Sequence, residues 1–166
     1  MGRDTNGSAG LEPRGGSVRD ESERTVMEKK RVLILCTGNS ARSQMAEGLL
    51  RHDAGEKFDV ESAGTRASSV RPEAIAVMQE LGVDISGQRS KHVDEFAGQS
   101  FDYVITVCDN ARETCPVFFG KAEKLHHSFE DPPPPSVGTD DHRMKVFRRV
   151  RDELRAYLHA FAAKLA

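Results

Sequence analysis

The sequence predicts a three-layer α/β fold, in which helices cover both faces of a four-stranded parallel sheet. One observation is the short, uninterrupted aliphatic run at residues 32–35, which is typical of a strand buried on both faces of a parallel sheet. A second is that such runs alternate with segments of helical periodicity, which indicates βαβ units with right-handed crossovers. The chain of 166 residues is long enough to bury the core of one such domain.

The N-terminal segment, residues 1–28, differs from the rest of the chain. It is rich in Gly, Ser and charged residues and has no helical or strand period, so we expect a disordered extension. The predicted domain then occupies residues 29–166. The sequence leaves open whether Met27 is the true first residue.

The first half of the domain contains two strand–helix pairs. The strand at residues 32–35 leads through a turn-forming segment into a helix. The apolar positions of this helix follow helical spacing: Met45, Ala46, Leu49 and Leu50. A second strand is predicted at residues 57–61, ending near residues 62–64. The next helix begins at Pro72, a residue favoured in a first turn, and ends at Gly82.

The second half of the domain adds two strands and a long helix. Residues 103–107 form the third aliphatic strand, and residues 123–126 form a weaker fourth strand. The prolines at 132–135 exclude regular structure and keep a loop extended. From about Asp140 the apolar positions predict an amphipathic helix to the end of the chain.

Two of the three cysteines directly follow predicted strands. Cys36 follows the first strand and Cys108 follows the third. Reactive groups of α/β proteins lie beyond the carboxyl ends of the strands. We therefore expect both thiols at the functional edge of the sheet.

The composition excludes several classes of protein. The formal charge is −2, from 24 basic and 26 acidic residues, which gives no overall attraction to nucleic acid or membrane. No apolar stretch is long enough to span a bilayer, and the first 30 residues lack the apolar core of a secretory leader. The three cysteines are odd in number and too widely spread for a small disulfide scaffold. We expect a cytoplasmic monomer.

The loop after the first strand carries the strongest chemical pattern. A cysteine and an arginine, Cys36 and Arg42, are separated by five residues between a buried strand and a helix start. Backbone N–H groups in such a loop converge on a tetrahedral oxyanion, and the helix N-terminus adds partial positive charge. The predicted oxyanion-binding residues are Thr37, Gly38, Asn39, Ser40, Ala41, Arg42 and Ser43.

Four side chains of this loop have predicted roles. Cys36 is the nucleophilic thiolate, and Ser43 donates a hydrogen bond to it. Arg42 can bind two oxygens of the anion at once. Asn39 braces the loop through its amide.

This loop resembles the active-site loop of the low-molecular-weight protein tyrosine phosphatase family. Its continuation to Gly48 is more similar to the thioredoxin-coupled arsenate reductases that share that fold, and the likeness covers residues 30–165. Many relatives have a second cysteine where this chain has Ala41, so that side chain is assigned no role. The resemblance implies a phosphatase-like fold and an oxidoreductase, an arsenate reductase of arsenical resistance.

The resemblance also implies a general acid. In the family an Asp followed by Pro faces the anion-binding loop and protonates the leaving oxygen, and Asp131 with Pro132 matches this pattern. The preceding Glu130 is expected to be solvated. Phosphatases of the family commonly continue with an aromatic residue that admits aryl substrates. Here Pro133 and Pro134 follow, which favours the reductase.

The other two cysteines distinguish a reductase from a phosphatase. Reducing arsenic(V) to arsenic(III) takes two electrons, which thiols supply by forming a disulfide. The reductases' pattern implies that Cys108 attacks a Cys36–arsenate adduct and that Cys115 then attacks Cys108, moving the disulfide outward to a reductant. The segment between Cys108 and Cys115 would have to rearrange. The alternative is that Cys108 is a core residue and Cys115 a spare thiol.

Some relatives bind a potassium ion near the loop. The positions involved are Asn39, Glu47 and Ser62 here, and where those relatives have a further Asp this chain has Lys91. An ammonium group at Lys91 can replace the ion and pair with Glu47. We therefore expect neither a metal requirement nor a cofactor.

Two further patterns have simpler interpretations. The adjacent His126 and His127 lack the ligand spacing of a zinc site. A basic run on the last helix is interpreted as a solvated face, with docking of a reductant protein as the less favoured alternative. Its members are Arg143, Lys145, Arg148, Arg149 and Arg151.

Three functions therefore remain in competition. The favoured one is reduction of arsenate, with phosphate as a competing anion and thioredoxin as the electron donor. A glutaredoxin-type donor remains open. The second is a low-molecular-weight phosphatase that uses Cys36, Arg42 and Asp131. The third is a non-enzymatic oxyanion or redox sensor.

Overall fold

The computed structural model of the chain describes residues 28–113 and 120–165. Apart from Glu28, the predicted disordered extension lies outside these residues, and so does Cys115. The described chain folds around one parallel sheet of four strands in the order β2-β1-β3-β4. The strands are β1 (Lys30–Cys36), β2 (Phe58–Gly64), β3 (Tyr103–Thr106) and β4 (Glu123–His126).

Four α-helices connect and follow these strands. They are α1 (Arg42–Ala54), α2 (Pro72–Gln79), α3 (Asp109–Glu113) and α4 (Asp140–Lys164). A 3-10 turn at Val93–Phe96 precedes β3. The sequence pattern missed this turn and did not assign α3, because both are too short to show a periodicity.

The burial of β1 shows that both faces of the sheet are covered. Five consecutive residues, 32–36, are buried, although neighbouring side chains on a strand point to opposite faces. The predicted three-layer α/β fold with a four-stranded parallel sheet is thereby confirmed. No helix in residues 28–113 or 120–165 combines the length and apolar character needed to cross a membrane.

The register of the sheet determines which side chains meet at its carboxyl edge. Cys36 lies opposite Gly64 at the ends of β1 and β2. Thr106, the last residue of β3, pairs with Leu35 on one side and with His126 on the other. The residues that follow all four strands therefore lie at one edge of the sheet.

Helix α4 corrects one prediction. Arg143 and Arg151 belong to the basic run expected to be solvated, but they are only 8% and 7% exposed. Arg151 donates to the carbonyl oxygen of Val77 at 2.8 Å, in the last turn of α2, where helical carbonyls lack partners within the helix. Arg143 donates to the carbonyls of Val137 and Gly138, both at 2.8 Å. Periodicity cannot reveal these acceptors, because they lie on other segments.

The C-terminal part of α4 is attached to α1 through Asp53. Its carboxylate accepts hydrogen bonds from Arg155 at 2.8 Å and from His159 at 2.9 Å, and His52 lies 3.0 Å away. Burial alone would raise the pKa of Asp53, but the hydrogen bonds from Arg155, His52 and His159 outweigh burial and lower that pKa well below its usual value. The folded state therefore favours the charged carboxylate.

The variant Asp53→Asn is expected to lower the free energy of unfolding at neutral pH by about 1–3 kcal/mol, because bonds to a charged group are lost. A lowered pKa in the folded state contributes stability that is present above the unfolded pKa of about 3.9 and is lost as the pH falls below it. Urea unfolding at about pH 7 and about pH 3.5 tests this expectation.

The difference in the free energy of unfolding between the parent chain and Asp53→Asn should be smaller at the lower pH. Glu56→Gln, at an exposed position near the end of α1, is the control and should change stability by less than about 0.5 kcal/mol. A difference for Asp53→Asn that does not depend on pH would contradict this interpretation of the carboxylate.

Candidate active site

The thiol of Cys36 lies at the carboxyl end of β1 and faces several donors. The residue is 2% exposed, and its sulfur lies 2.8 Å from the Ser43 hydroxyl. The backbone N–H of Asn39 donates to the same sulfur at 3.3 Å. The predicted contact of Ser43 is therefore present, and this arrangement of donors suits a thiolate nucleophile.

The side chain of Asn39 braces the loop, as the sequence predicts. Its amide nitrogen donates to the hydroxyls of Ser43 at 2.7 Å and Ser62 at 2.9 Å. Its amide oxygen accepts from the backbone N–H of Lys91 at 2.8 Å and from Gln44 at 2.9 Å. Asn39 is fully buried and adopts a positive φ of 49°, a conformation that Asn tolerates better than most residues.

A residue that the sequence did not single out is Gly64, at the end of β2. A Cβ atom at this position would lie 2.5 Å from the carbonyl oxygen of Thr37 and 2.8 Å from the backbone nitrogen of Asn39. Only glycine lets β2 approach the loop so closely. The adjacent backbone is paired to the loop as well, with the N–H of Arg66 donating to Thr37 at 2.8 Å.

Arg42 connects the loop to the proline-containing segment. Its guanidinium donates to the carbonyl oxygen of Phe129 at 3.1 Å and lies 3.5 Å from the Asp131 carboxylate. The Asp131 side chain is 72% exposed and is therefore open to a substrate. The structure brings Arg42 and Asp131 together next to the Cys36 loop. Glu130 is exposed, as expected, and forms an ion pair with Arg149.

The segment that carries Asp131 is held by Arg71, which the sequence pattern also missed. Arg71 donates to the carbonyl oxygen of Pro133 at 2.7 Å and pairs with Glu73 at 2.8 Å. Its guanidinium also lies over the Phe147 ring, 4.8 Å from the ring centroid. An arginine directly before the helix-starting Pro72 is the only sequence signal, and that signal does not identify its partners.

The second thiol, Cys108, lies beside the same loop. It is 6% exposed, and its sulfur is 3.3 Å from the Thr37 hydroxyl. The backbone N–H of Ala111 donates to this sulfur at 3.4 Å, and Asn110 donates to Thr37 at 3.1 Å. Thr37 thus connects the loop of residues 37–43 to the start of α3. Cys115, the third cysteine, lies outside the described residues.

The expected pairing of Lys91 with Glu47 is confirmed. The Lys91 ammonium lies 3.6 Å from the Glu47 carboxylate and 3.4 Å from the Glu61 carboxylate. Ser62 donates to Glu47, and Lys91 is only 7% exposed. A buried ammonium therefore supplies positive charge at this position. Within the described part of the chain, no group of three or more His, Cys, Asp or Glu could hold a metal ion.

Known proteins match this chain over most of its length. The family model for low molecular weight phosphotyrosine protein phosphatases matches residues 31–166. An arsenate reductase of Halalkalibacterium halodurans is 45% identical over 136 residues, which cover 82% of this chain and 97% of that protein. An arsenate reductase of Bacillus subtilis is 40% identical over the same shares.

The solved structures similar to this chain include arsenate reductases and a phosphatase. An arsenate reductase in the phosphate binding state is similar with a TM-score of 0.71 and 35% identity, over 82% of this chain and 99% of that one. An arginine phosphatase from Geobacillus stearothermophilus is similar with a TM-score of 0.64 and 27% identity, over 82% of this chain and 92% of that one. The sequence is thus more similar to these reductases than to that phosphatase.

The variant Gly64→Ala should impair the loop specifically. Its Cβ atom would collide with two backbone atoms of the loop, which must then shift. We expect the apparent Kd for phosphate to rise at least about tenfold, which is about 1.4 kcal/mol. The measurement is protection of Cys36 from iodoacetamide by increasing phosphate, followed by mass spectrometry.

The matched control is Gly87→Ala, since a Cβ atom there would have no atom within 4 Å. This control should bind phosphate like the parent chain. If a folded Gly64→Ala chain also bound phosphate like the parent, the close approach of β2 would not matter for the site.

Proposed function

The chain belongs to the low molecular weight phosphotyrosine protein phosphatase family, among its arsenate reductases, and we propose that it reduces arsenate through a relay of three cysteines. In this proposal Cys36, Cys108 and Cys115 carry two electrons from thioredoxin to arsenate. The proposed setting is the cytoplasm, the proposed state is a monomer, and phosphate competes with arsenate for the loop.

The observation that carries the proposal is the position of Cys108. A phosphatase needs one thiol, because phosphoryl transfer moves no electrons. Here a second buried thiol lies 3.3 Å from Thr37, the residue directly after the Cys36 nucleophile. A second thiol at the oxyanion loop is what a two-electron reduction requires.

The first proposed step forms a bond between sulfur and arsenic. Arsenate binds to the backbone N–H groups of residues 37–43 and to the Arg42 guanidinium. The Cys36 thiolate attacks arsenic(V), and one oxygen leaves as water after protonation. Asp131, exposed and 3.5 Å from Arg42, is the proposed acid. Ser43 and the N–H of Asn39 hold the sulfur in position.

The second proposed step transfers the electrons. The Cys108 thiolate attacks the sulfur of Cys36, the sulfur–arsenic bond breaks, and its electron pair stays on arsenic. Arsenic(III) leaves as arsenite, and a Cys36–Cys108 disulfide remains. Atoms and charges balance, because two thiols have supplied two electrons.

The third proposed step restores the nucleophile. The thiolate of Cys115 attacks Cys108, which releases Cys36 and forms a Cys108–Cys115 disulfide. Thioredoxin then reduces this disulfide and is itself oxidised. The segment that follows Cys108 begins with the short helix α3, and the proposed exchange includes a rearrangement between Cys108 and Cys115.

Lys91 supports a further part of the proposal, that catalysis needs no bound metal. Its ammonium lies near the carboxylates of Glu47 and Glu61 and is almost completely buried. A cation at this position would have to displace or repel that charge. Turnover should therefore be the same whether sodium or potassium is the only monovalent cation.

A phosphatase remains the second candidate function. It would use Cys36, Arg42 and Asp131, which are all present at one edge of the sheet. The similarity to an arginine phosphatase supports this alternative. In that case Cys108 and Cys115 would have no role in turnover.

A coupled assay separates the two functions. The full chain is mixed with arsenate, thioredoxin, thioredoxin reductase and NADPH, and the loss of NADPH is followed. We expect steady turnover in the parent chain and none in Cys108→Ser or Cys115→Ser, because each substitution interrupts the path of the electrons.

In both variants iodoacetamide should still alkylate Cys36, and phosphate should still protect Cys36 from it. That result would show that the loop is intact. Hydrolysis of an aryl phosphate that survives both substitutions, together with no turnover of arsenate, would favour the phosphatase. Arsenate turnover that survives the loss of either cysteine would contradict the relay.

A further inference from the structure

Arg71 is bonded to both of the loops that meet at the candidate active site. Its backbone N–H donates to the carbonyl oxygen of Ser40, in the loop of residues 37–43, at 2.9 Å. Its guanidinium donates to the carbonyl oxygen of Pro133, two positions beyond Asp131, at 2.7 Å. One residue therefore connects the proposed oxyanion-binding loop to the segment that carries the proposed acid.

The position of Arg71 in the chain restricts its conformation. A residue before a proline is confined to extended backbone, and Arg71 precedes Pro72, the first residue of α2, with φ −73° and ψ 137°. Its guanidinium also pairs with the Glu73 carboxylate at 2.8 Å and lies over the Phe147 ring. The side chain is only 14% exposed. Both the backbone and the side chain of Arg71 are thus held in place.

The segment that Arg71 binds needs donors from other parts of the chain. Residues 127–134 have no regular secondary structure, and the prolines among them have no backbone N–H to donate. Their carbonyl oxygens still require partners or water. Arg42 donates to the carbonyl two positions before Asp131, and Arg71 donates to the carbonyl two positions after it. Arginine side chains therefore hold the backbone on both sides of the proposed acid.

A third arginine binds the end of this segment. Arg143 donates to the carbonyl oxygens of Val137 and Gly138, both at 2.8 Å. Its Nε atom lies 3.7 Å from the same carboxylate oxygen of Glu73 that pairs with Arg71. Glu73 thus connects the two arginines, and helices α2 and α4 hold the segment together.

The side chain of Asp131 has little support of its own. It is 72% exposed, and its contact with Arg42 is 3.5 Å long. A general acid has to come within about 2.6–3.2 Å of the atom that receives its proton. A misplacement of about 1 Å can cost a large factor in rate. The position of the backbone at Asp131 therefore matters for the transfer of the proton.

We propose that Arg71 is a positioning residue that fixes the Asp131 carboxylate beside the loop of Cys36. The inference rests on the proposed role of Asp131 as the acid and deepens it. In that first step the sulfur–arsenic bond forms, one arsenic–oxygen bond breaks, and the oxygen leaves as water with the proton of Asp131. Arsenic remains arsenic(V), so Arg71 affects the transfer of a proton and not the transfer of electrons.

The test is a double-mutant cycle of Arg71→Met and Asp131→Asn in the full chain. Methionine removes the guanidinium donors and keeps an unbranched stem against Phe147. Protein in excess over arsenate is mixed with it without a reductant, and acid-quenched samples give the rate constant of arsenite formation. A residue that acts only through another has no effect once that other group is removed, so the cycle separates positioning from general damage.

We expect Asp131→Asn to lower this rate constant roughly a hundredfold, within the range of general acid catalysis. Arg71→Met should lower it roughly tenfold in the parent chain and less than about twofold in the Asp131→Asn chain. Arg71→Lys keeps the charge, but an ammonium group does not replace the planar guanidinium that bonds both Pro133 and Glu73. Its rate constant should stay closer to that of Arg71→Met than to that of the parent chain.

The binding of phosphate is a second readout. Protection of Cys36 from iodoacetamide should give the same apparent Kd in the parent and Arg71→Met chains, within about twofold. The reason is that the bond to Ser40 comes from the backbone of residue 71 and does not depend on its side chain. Glu73→Gln weakens the same bridge from outside both loops. It should also slow arsenite formation only when Asp131 is present, which keeps the test decisive if Arg71→Met folds poorly.

The matched control is Arg151→Met. Arg151 is also buried and also bonds one carbonyl oxygen and one carboxylate, those of Val77 and Glu80, both at 2.8 Å. Because these partners lie outside the two loops, the folded control should form arsenite at the rate of the parent chain.

Two results would overturn the positioning role and leave the proposed function intact. One is an equal effect of Arg71→Met with and without the Asp131 carboxylate. The other is a parental rate constant in Arg71→Lys, since charge alone would then be sufficient. An Asp131→Asn chain as fast as the parent would overturn the proposed acid together with this role. A parent chain that forms no arsenite would overturn the proposed reduction as well.

Discussion

The buried amide of Asn39 holds the loop of residues 37–43, the proposed oxyanion-binding loop, in the shape on which the rest of the site depends. It binds the helix that follows the loop through Ser43, the end of β2 through Ser62, and the segment before β3 through the backbone of Lys91. Asn39 has a positive φ, which is uncommon for a residue other than glycine, and these hydrogen bonds hold it in that conformation. Three segments of the chain thus meet at one side chain and hold the loop in a defined shape. In the proposed function this reduces the cost of organising donors around the anion.

The parallel register of the strands determines which reactive side chains lie next to this loop. It places Cys36 and the residues that follow β3 at one edge, so Cys108 lies beside Thr37. In the proposed function, the binding of a tetrahedral anion and the supply of electrons are thus separate properties of neighbouring strand ends. In the proposed mechanism the second depends on Cys108, on its partner Cys115, and on a short helix that can change its conformation.

The sequence was sufficient for features that depend on neighbouring residues. The aliphatic run of β1 and the loop from Cys36 to Arg42 were predicted from residues within a few positions of one another. The position of Asp131 near Arg42 was predicted only from the resemblance to a known family. Features that depend on contacts between distant segments were not predicted. Gly64 matters because β2 meets the loop, and Arg151 is buried because it reaches a carbonyl on α2. A periodic pattern gives the face of a helix and leaves its partner unspecified.

In the proposed relay, electrons reach arsenate from Cys36 and Cys108 together. A single-turnover experiment with the Cys115→Ser chain tests it most directly, since the relay should stop after its second step. With one equivalent of arsenate and no reductant, we predict about one equivalent of arsenite and a Cys36–Cys108 disulfide in the mass spectrum, by the stoichiometry of thiol–disulfide exchange. Arsenite without that disulfide, or a protein that binds arsenate and never releases arsenite, would contradict the claim.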